Sequence, residues 1–252
     1  MSAPATAVPI TATHNSGAAL EARQLTRAYG SGAARFMALR DVSLTVHQGE
    51  SLAIIGKSGS GKSTLMHLLA LLDTPTNGTV MVGGTNASTL STAQLNRLRN
   101  RAFGFVFQQF YLIPGTSVLD NVTLPLKIRG VPPAERKRLG LEVLEQVELL
   151  DKAGNRATDL SGGQKQRTVI ARALINQPKV IFADEPTGNL DSATGKVIMD
   201  LLFLLNEQHG ITLVVVTHDE DLARRCSRSL TIMDGTIVNP QTTGEAEEVA
   251  FG

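Results

Sequence analysis

SLAIIGKSGSGKSTLMHLLALL, residues 51–72, joins three kinds of sequence without a break. SLAIIG (51–56) is a nearly continuous apolar run, as expected of a strand covered on both faces. Gly56 to Ser63 matches the phosphate-loop pattern G-x-x-x-x-G-K-[ST], and TLMHLLALL reads as the helix that should follow. The context gives the pattern its meaning. Glycines let the backbone N–H groups turn toward a β-phosphate, Lys62 adds a point charge for the β- and γ-phosphates, and Ser63 offers its hydroxyl to Mg²⁺.

Working outward, VIFADE (180–185) and LVVVTH (213–218) are two more buried-strand runs, with helical patterns between them. The three runs end in Gly56, in Asp184 with Glu185, and in Thr217 with His218. Ligands of open α/β sheets sit at the carboxyl edge of the strands, so these polar ends should converge on one crevice. Residues 20–50 alternate as antiparallel strands do, divided by the GSGAAR turn. From about Leu95 to Asp159 the signal is helical, and in PAERKRLGLEVLEQVELL the positions Leu139, Val143, Leu144 and Val147 keep helical spacing after Pro132 and Pro133. The reading is an α/β fold: a phosphate-loop NTPase core with a mainly parallel sheet, an antiparallel β layer and an inserted α-helical subdomain at about 95–160. This domain spans 20–238, between a disordered tail at 1–19 and a C-terminal tail at 239–252, where Pro240 ends the recognisable pattern.

Composition narrows the function. In 252 residues, 24 Lys+Arg stand against 23 Asp+Glu, a net charge of +1 that gives no broad field toward nucleic acid or anionic lipid. No apolar run approaches a membrane span, and LLFLL (201–205) is the densest. Residues 1–19 carry no Lys or Arg and so fail as a secretory signal. Cys226 is the single cysteine, reads as an ordinary helix position and excludes an intrachain disulfide.

Around the phosphate loop, Asp184 suits an Mg²⁺ ion held through water. Successive strand residues point to opposite sides, so Glu185 is expected to orient or deprotonate an attacking water instead. His218 can donate to the γ-phosphate or hold the water. Gln108, ending the β-rich run FGFVFQQF, brings an amide oxygen for Mg²⁺ or the water, with Gln109 as its rival, and Tyr29 can stack on an adenine face. A second anion site stands in LSGGQKQR (160–167), where Ser161 can cap a helix and Gly162 and Gly163 leave backbone N–H groups uncovered.

From about Leu20 to Val238 the sequence resembles an ATP-binding-cassette ATPase. The motifs come in that family's order: Tyr29, GKSGSGKST (56–64), Gln108, LSGGQ (160–164), VIFADE, NLD (189–191) and His218. The resemblance implies ATP and Mg²⁺ as cofactors. ATP is bound by Tyr29 and by Gly56, Lys57, Ser58, Gly59, Ser60, Gly61, Lys62, Ser63 and Thr64. The metal ligands are Ser63, Gln108 and Asp184, and the catalytic set is Glu185, His218 and Gln108. It implies a head-to-tail homodimer in which Ser161, Gly162, Gly163 and Gln164 cover ATP bound to the other copy, with Asp191 at the seam. FGFVFQQFYLIPGTSVLDNVTLPL and ADEPTGNLDS are most similar to the branch serving macrolide export and lipoprotein release, with the bacterial cell-division ATPase close by. A separate membrane permease docked near Gln108, at the cytoplasmic face of the inner membrane, is then expected, and no nucleic acid. The alternatives are a cell-division ATPase controlling a peptidoglycan hydrolase through its membrane partner, a soluble cassette ATPase, and a small-molecule kinase. The last is opposed by LSGGQ and His218.

Overall fold

The computed structural model describes residues 17–242. The strands are β1 (Ala18–Tyr29), β2 (Phe36–His47), β3 (Ser51–Ile55), β4 (Asn77–Val82) and β5 (Thr85–Asn86), then β6 (Phe103–Phe107), β7 (Val180–Asp184), β8 (Thr212–Val216), β9 (Arg228–Met233) and β10 (Thr236–Thr242). The helices are α1 (Lys62–Leu69), α2 (Thr92–Ala102), α3 (Val118–Ile128), α4 (Pro133–Gln146), α5 (Gly162–Leu174), α6 (Ser192–His209) and α7 (Glu220–Arg225).

The three apolar runs become β3, β7 and β8, adjacent in a six-stranded sheet of order β10-β9-β3-β8-β7-β6. All its pairings are parallel except that of β10 with β9. Strand alternation explains the unbroken apolar runs. Leu52, Ile54, Phe182, Val214 and Val216 face one core with α1 and the antiparallel sheet. Ala53, Ile181, Ala183, Leu213 and Val215 face another, shared with α3, α5 and α6. With two cores to fill, no strand position can be polar until the strand ends. Each fully buried Leu or Phe contributes about 1.5–3 kcal/mol relative to exposure.

The antiparallel layer has the order β2-β1-β4-β5, so it extends beyond residue 50 to include 77–86. The β-rich run that ends at Gln108 becomes strand β6, which belongs to the parallel sheet beside β7 although it lies inside the stretch 95–160. A helical subdomain drawn from 95 to 160 therefore encloses a core strand. Beyond it α3 packs against α4 and α5, while α5 also packs on β6 and so joins these helices to the core.

Both tail boundaries also move. Residues 1–16 and 243–252 lie outside the described residues, but Ala18 and Ala19 are already in β1. At the other end β10 runs through Asn239 and Pro240 to Thr242. Proline is tolerated there because β10 is an edge strand and its register shifts between Val238 and Pro240, where no ladder N–H is required. Among the described residues no helix is long and apolar enough to cross a membrane.

Candidate active site

Strand β3 delivers the chain to Gly56, and α1 starts at Lys62 directly behind Gly61. Two of the glycines are steric necessities. Gly56 has φ 149°, and a Cβ there would lie 2.3 Å from the Ile232 carbonyl oxygen; at Gly61, φ 110°, it would lie 2.6 Å from that of Ala38. Lys62 Nζ donates to the carbonyl oxygens of Gly56 (2.8 Å) and Lys57 (2.9 Å), so the cation is held at the centre of the loop. The loop opens on a cavity of about 550 Å³ lined by Gly56–Gly59, Gly61–Thr64, Tyr29, Asp184, Glu185 and His218. Ser60 is the exception within the loop: it is buried, its hydroxyl without a hydrogen-bond partner among the described residues.

Asp184 ends β7 facing this cavity. Burial pushes its pKa up, and the nearby His67 and Lys62 charges and a hydrogen bond with Ser63 offset that only in part. A half-buried carboxylate with incomplete compensation beside a hydroxyl is the donor chemistry of a hard divalent cation, so Ser63 and Asp184 fit Mg²⁺.

Glu185 is not placed by strand alternation, as its sequence position suggests. It lies one residue past β7 in left-handed backbone, φ 45°, immediately before Pro186. A non-glycine residue in that region is strained and must be held by its surroundings. Its N–H donates to the Val216 carbonyl (2.9 Å) and its carbonyl accepts from the Gly188 N–H (3.0 Å). Its Oε1 is 2.8 Å from His218 Nδ1. The Glu185 side chain is 22% exposed and that of His218 77%, so the carboxylate faces inward and the ring forms the rim. The hydrogen bond to Glu185, and then its charge, raise the His218 pKa above the ordinary imidazole value.

Tyr29 lines the cavity, fixed by Arg27 two positions before it and by Asp73 far away in sequence. Its hydroxyl donates to Asp73 Oδ2 (2.9 Å), the Arg27 guanidinium lies 4.5 Å from its ring centroid, and Arg27 pairs with Asp73 at 2.8 Å. Arg27 and Asp73 escaped the sequence reading because 44 residues separate Tyr29 from Asp73. Gln108 does not line the cavity. Its side chain lies against Gly188, where a Cβ would be 2.7 Å from Nε2, and its carbonyl accepts from Asn189 Nδ2 (2.8 Å). Of the expected metal ligands the structure joins Ser63 with Asp184 and leaves Gln108 on the neighbouring loop.

Ser161, Gly162, Gly163 and Gln164 line a different cavity, about 780 Å³, together with Asn189–Asp191 and Thr194. It shares no lining residue with the first. Ser161 caps α5 in a reciprocal box: its Oγ accepts from the Gln164 N–H (3.3 Å), and Gln164 Oε1 accepts from the Ser161 N–H (3.0 Å). Gly163 also packs, since a Cβ there would meet Thr194 Cγ2 at 2.7 Å. Asp191 caps α6 by accepting from the Thr194 N–H at 3.0 Å, and the Thr194 hydroxyl and N–H hold its pKa below the ordinary carboxylate value. Among its neighbours Gln166 is fully buried and donates to the Pro186 carbonyl at 2.7 Å.

A family model described as ABC transporter matches residues 39–188. The chain is 46% identical over 221 residues to the lipoprotein-releasing system ATP-binding protein LolD of Bordetella avium, covering 88% of this chain and 96% of that protein. It is 45% identical over 219 residues to an uncharacterized ABC transporter ATP-binding protein of Methanocaldococcus jannaschii, covering 87% and 97%. A dimeric post-hydrolysis structure of the ATP-binding cassette MJ0796 bound to ADP and Pi superimposes with a TM-score of 0.81 at 42% identity, covering 88% of this chain and 98% of that one.

Proposed function

This chain belongs to the ABC transporter family as an ATP-binding, ATP-hydrolysing subunit, and from that premise we propose how its residues divide the work and what they drive. The loop N–H groups and Lys62 hold the ATP phosphates, Lys62 exchanging two carbonyl partners for β- and γ-oxygens. Tyr29 stacks the adenine on the ring face opposite Arg27. Ser63 and Asp184 would hold Mg²⁺, which would supply positive charge to the phosphate chain. Glu185 takes the proton of the attacking water, and His218 orients that carboxylate through Nδ1, leaving Nε2 for the γ-phosphate. Gln108 stands outside the ion's ligands in this arrangement.

The observation that carries this reading is a convergence. Lys62, Asp184, Glu185 and His218, from three stretches of chain, line one cavity, while Ser161–Gln164 line another. One copy thus supplies two half-sites. In the proposed dimer each Ser161–Gln164 segment covers ATP held by the other copy's loop, with Asp191 at the seam, and hydrolysis releases the pair. The driven partner is a separate permease of the lipoprotein-release branch, docked at the cytoplasmic face of the membrane. An apolar groove of about 520 Å³ lined by Leu72, Phe105, Phe107, Tyr111 and Ile128 supports that docking, with Tyr111 64% and Ile128 71% exposed.

The test is Glu185→Gln. Turnover should fall about 100- to 10,000-fold while ATP still binds, and gel filtration should show an ATP-dependent dimer accumulating. Hydrolysis at the wild-type rate would remove Glu185 from the base role.

A further inference from the structure

The turn that carries Glu185 is strained at one residue and restricted at the next. Glu185 has φ 45° and precedes proline, so its backbone cannot relax into an ordinary turn without moving Pro186. Two backbone hydrogen bonds hold Glu185 itself. The peptide after Pro186 is held differently, by a side chain of α5: Gln166 Nε2 donates to the Pro186 carbonyl at 2.7 Å. Gln166 is fully buried, and its Oε1 has no hydrogen-bond partner among the described residues. A core chosen for stability alone would place an apolar side chain there, because an unpaired buried acceptor is costly. Among the described residues, the one hydrogen bond this amide makes is the bond to Pro186.

The same face of α5 carries Gly162 and Gly163, one turn toward the helix start. Their α-carbons come close enough to the following segment that a Cβ would lie 3.3 Å from Leu190 and 2.7 Å from Thr194. Pro186, Leu190 and Thr194 thus lie in sequence along one face of α5, facing Gln166, Gly162 and Gly163 respectively. The Ser161 cap and the Glu185 turn are attached to a single rigid helix.

We propose that Gln166 is a positioning residue for Glu185, which ties the placement of the general base in one nucleotide site to the helix whose start covers the nucleotide in the other. The inference rests on the base role given to Glu185 under the proposed function. Gln166 is fully buried and does not line the phosphate-loop cavity. Its effect falls on the rate of the chemical step rather than on ATP affinity, because Lys62 and the loop N–H groups are bound through other contacts.

The experiment compares Gln166→Leu, Gln166→Glu, Glu185→Gln and wild type. Gln166→Leu keeps an apolar core and removes the donor. Its kcat is expected to fall about 10- to 100-fold with KM for ATP within about twofold and an unchanged Tm. Placed in the Glu185→Gln background it should still give the ATP-dependent dimer. Gln166→Glu separates positioning from packing, because a protonated carboxyl can donate to the Pro186 carbonyl and an ionised one cannot. Its kcat relative to wild type should rise as pH falls. Gln166→Leu with wild-type kcat, or Gln166→Glu with a kcat no better than that of Gln166→Leu at acid pH where its carboxyl is protonated, overturns the proposal. If Glu185→Gln is inactive in the same series, that failure belongs to Gln166 alone. If Glu185→Gln turns over normally, the base role fails first and takes the positioning role with it.

Discussion

At Glu185 the backbone and the side chain are under separate control. The left-handed turn aims the carboxylate into the phosphate-loop cavity, and His218 fixes its rotation from the rim. The neighbouring carboxylate is tuned by other means, since burial raises the Asp184 pKa where a cation is expected. The Glu185 hydrogen bond favours the imidazolium form of His218, so its folded pKa lies above the ordinary 6.5. The sign of the linkage follows. The pair's contribution to stability is complete below the unfolded histidine pKa and is lost as pH rises through the higher folded one. That contribution is small because the ring is mostly solvated. An NMR titration of the His218 ring should therefore have its midpoint above 6.5, and Glu185→Gln should bring it back down. An unmoved midpoint in that variant would mean that the pair does not persist in solution.

The helix α5 has two duties at its start that the sequence shows only in part. Ser161 and Gln164 close a capping box that satisfies N–H groups the helix cannot pair internally. Gly163 looks like a device for exposing backbone, but its contact with Thr194 makes it equally a packing residue. Gly163→Ala should cost about 1–3 kcal/mol through overpacking, read as a lower denaturant midpoint. Adding Thr194→Ser removes the clashing Cγ2 and should restore most of that loss. If the double variant is no better than the single one, the contact is not what requires glycine. The helical pattern is plain between Pro133 and Val147, and the β-rich run FGFVFQQF is equally legible as β6, but the boundary of about 95 for the helical subdomain places that core strand on the wrong side.

At the level of the whole molecule, the phosphate loop and the Ser161–Gln164 segment line cavities with no residue in common, which the proposed dimer treats as two half-sites. Subunit mixing tests whether the halves complete each other. Lys62→Ala removes the loop's cation. Ser161→Asp preserves a good helix cap but sets a carboxylate where a γ-phosphate is expected. Each variant alone should be nearly inactive. A one-to-one mixture should regain about a quarter of wild-type turnover, because half the dimers are mixed and each of those has one intact site. Activity in the Ser161→Asp protein alone, or no recovery in the mixture, would show that each chain forms its site by itself.

How much of this was legible before folding depends on the range of the interactions. The phosphate loop, the three strand ends beside it and the Ser161 cap are local: a few consecutive residues set backbone conformation, polarity and spacing, so the sequence alone determined them. The Arg27–Asp73 clamp on Tyr29, the separation of Gln108 from the cavity, the left-handed turn at Glu185 and the hold of Gln166 on Pro186 depend on which segments meet. Those meetings were decided by the tertiary structure, because the contacts join residues 20 to 81 positions apart and no local pattern registers such partners.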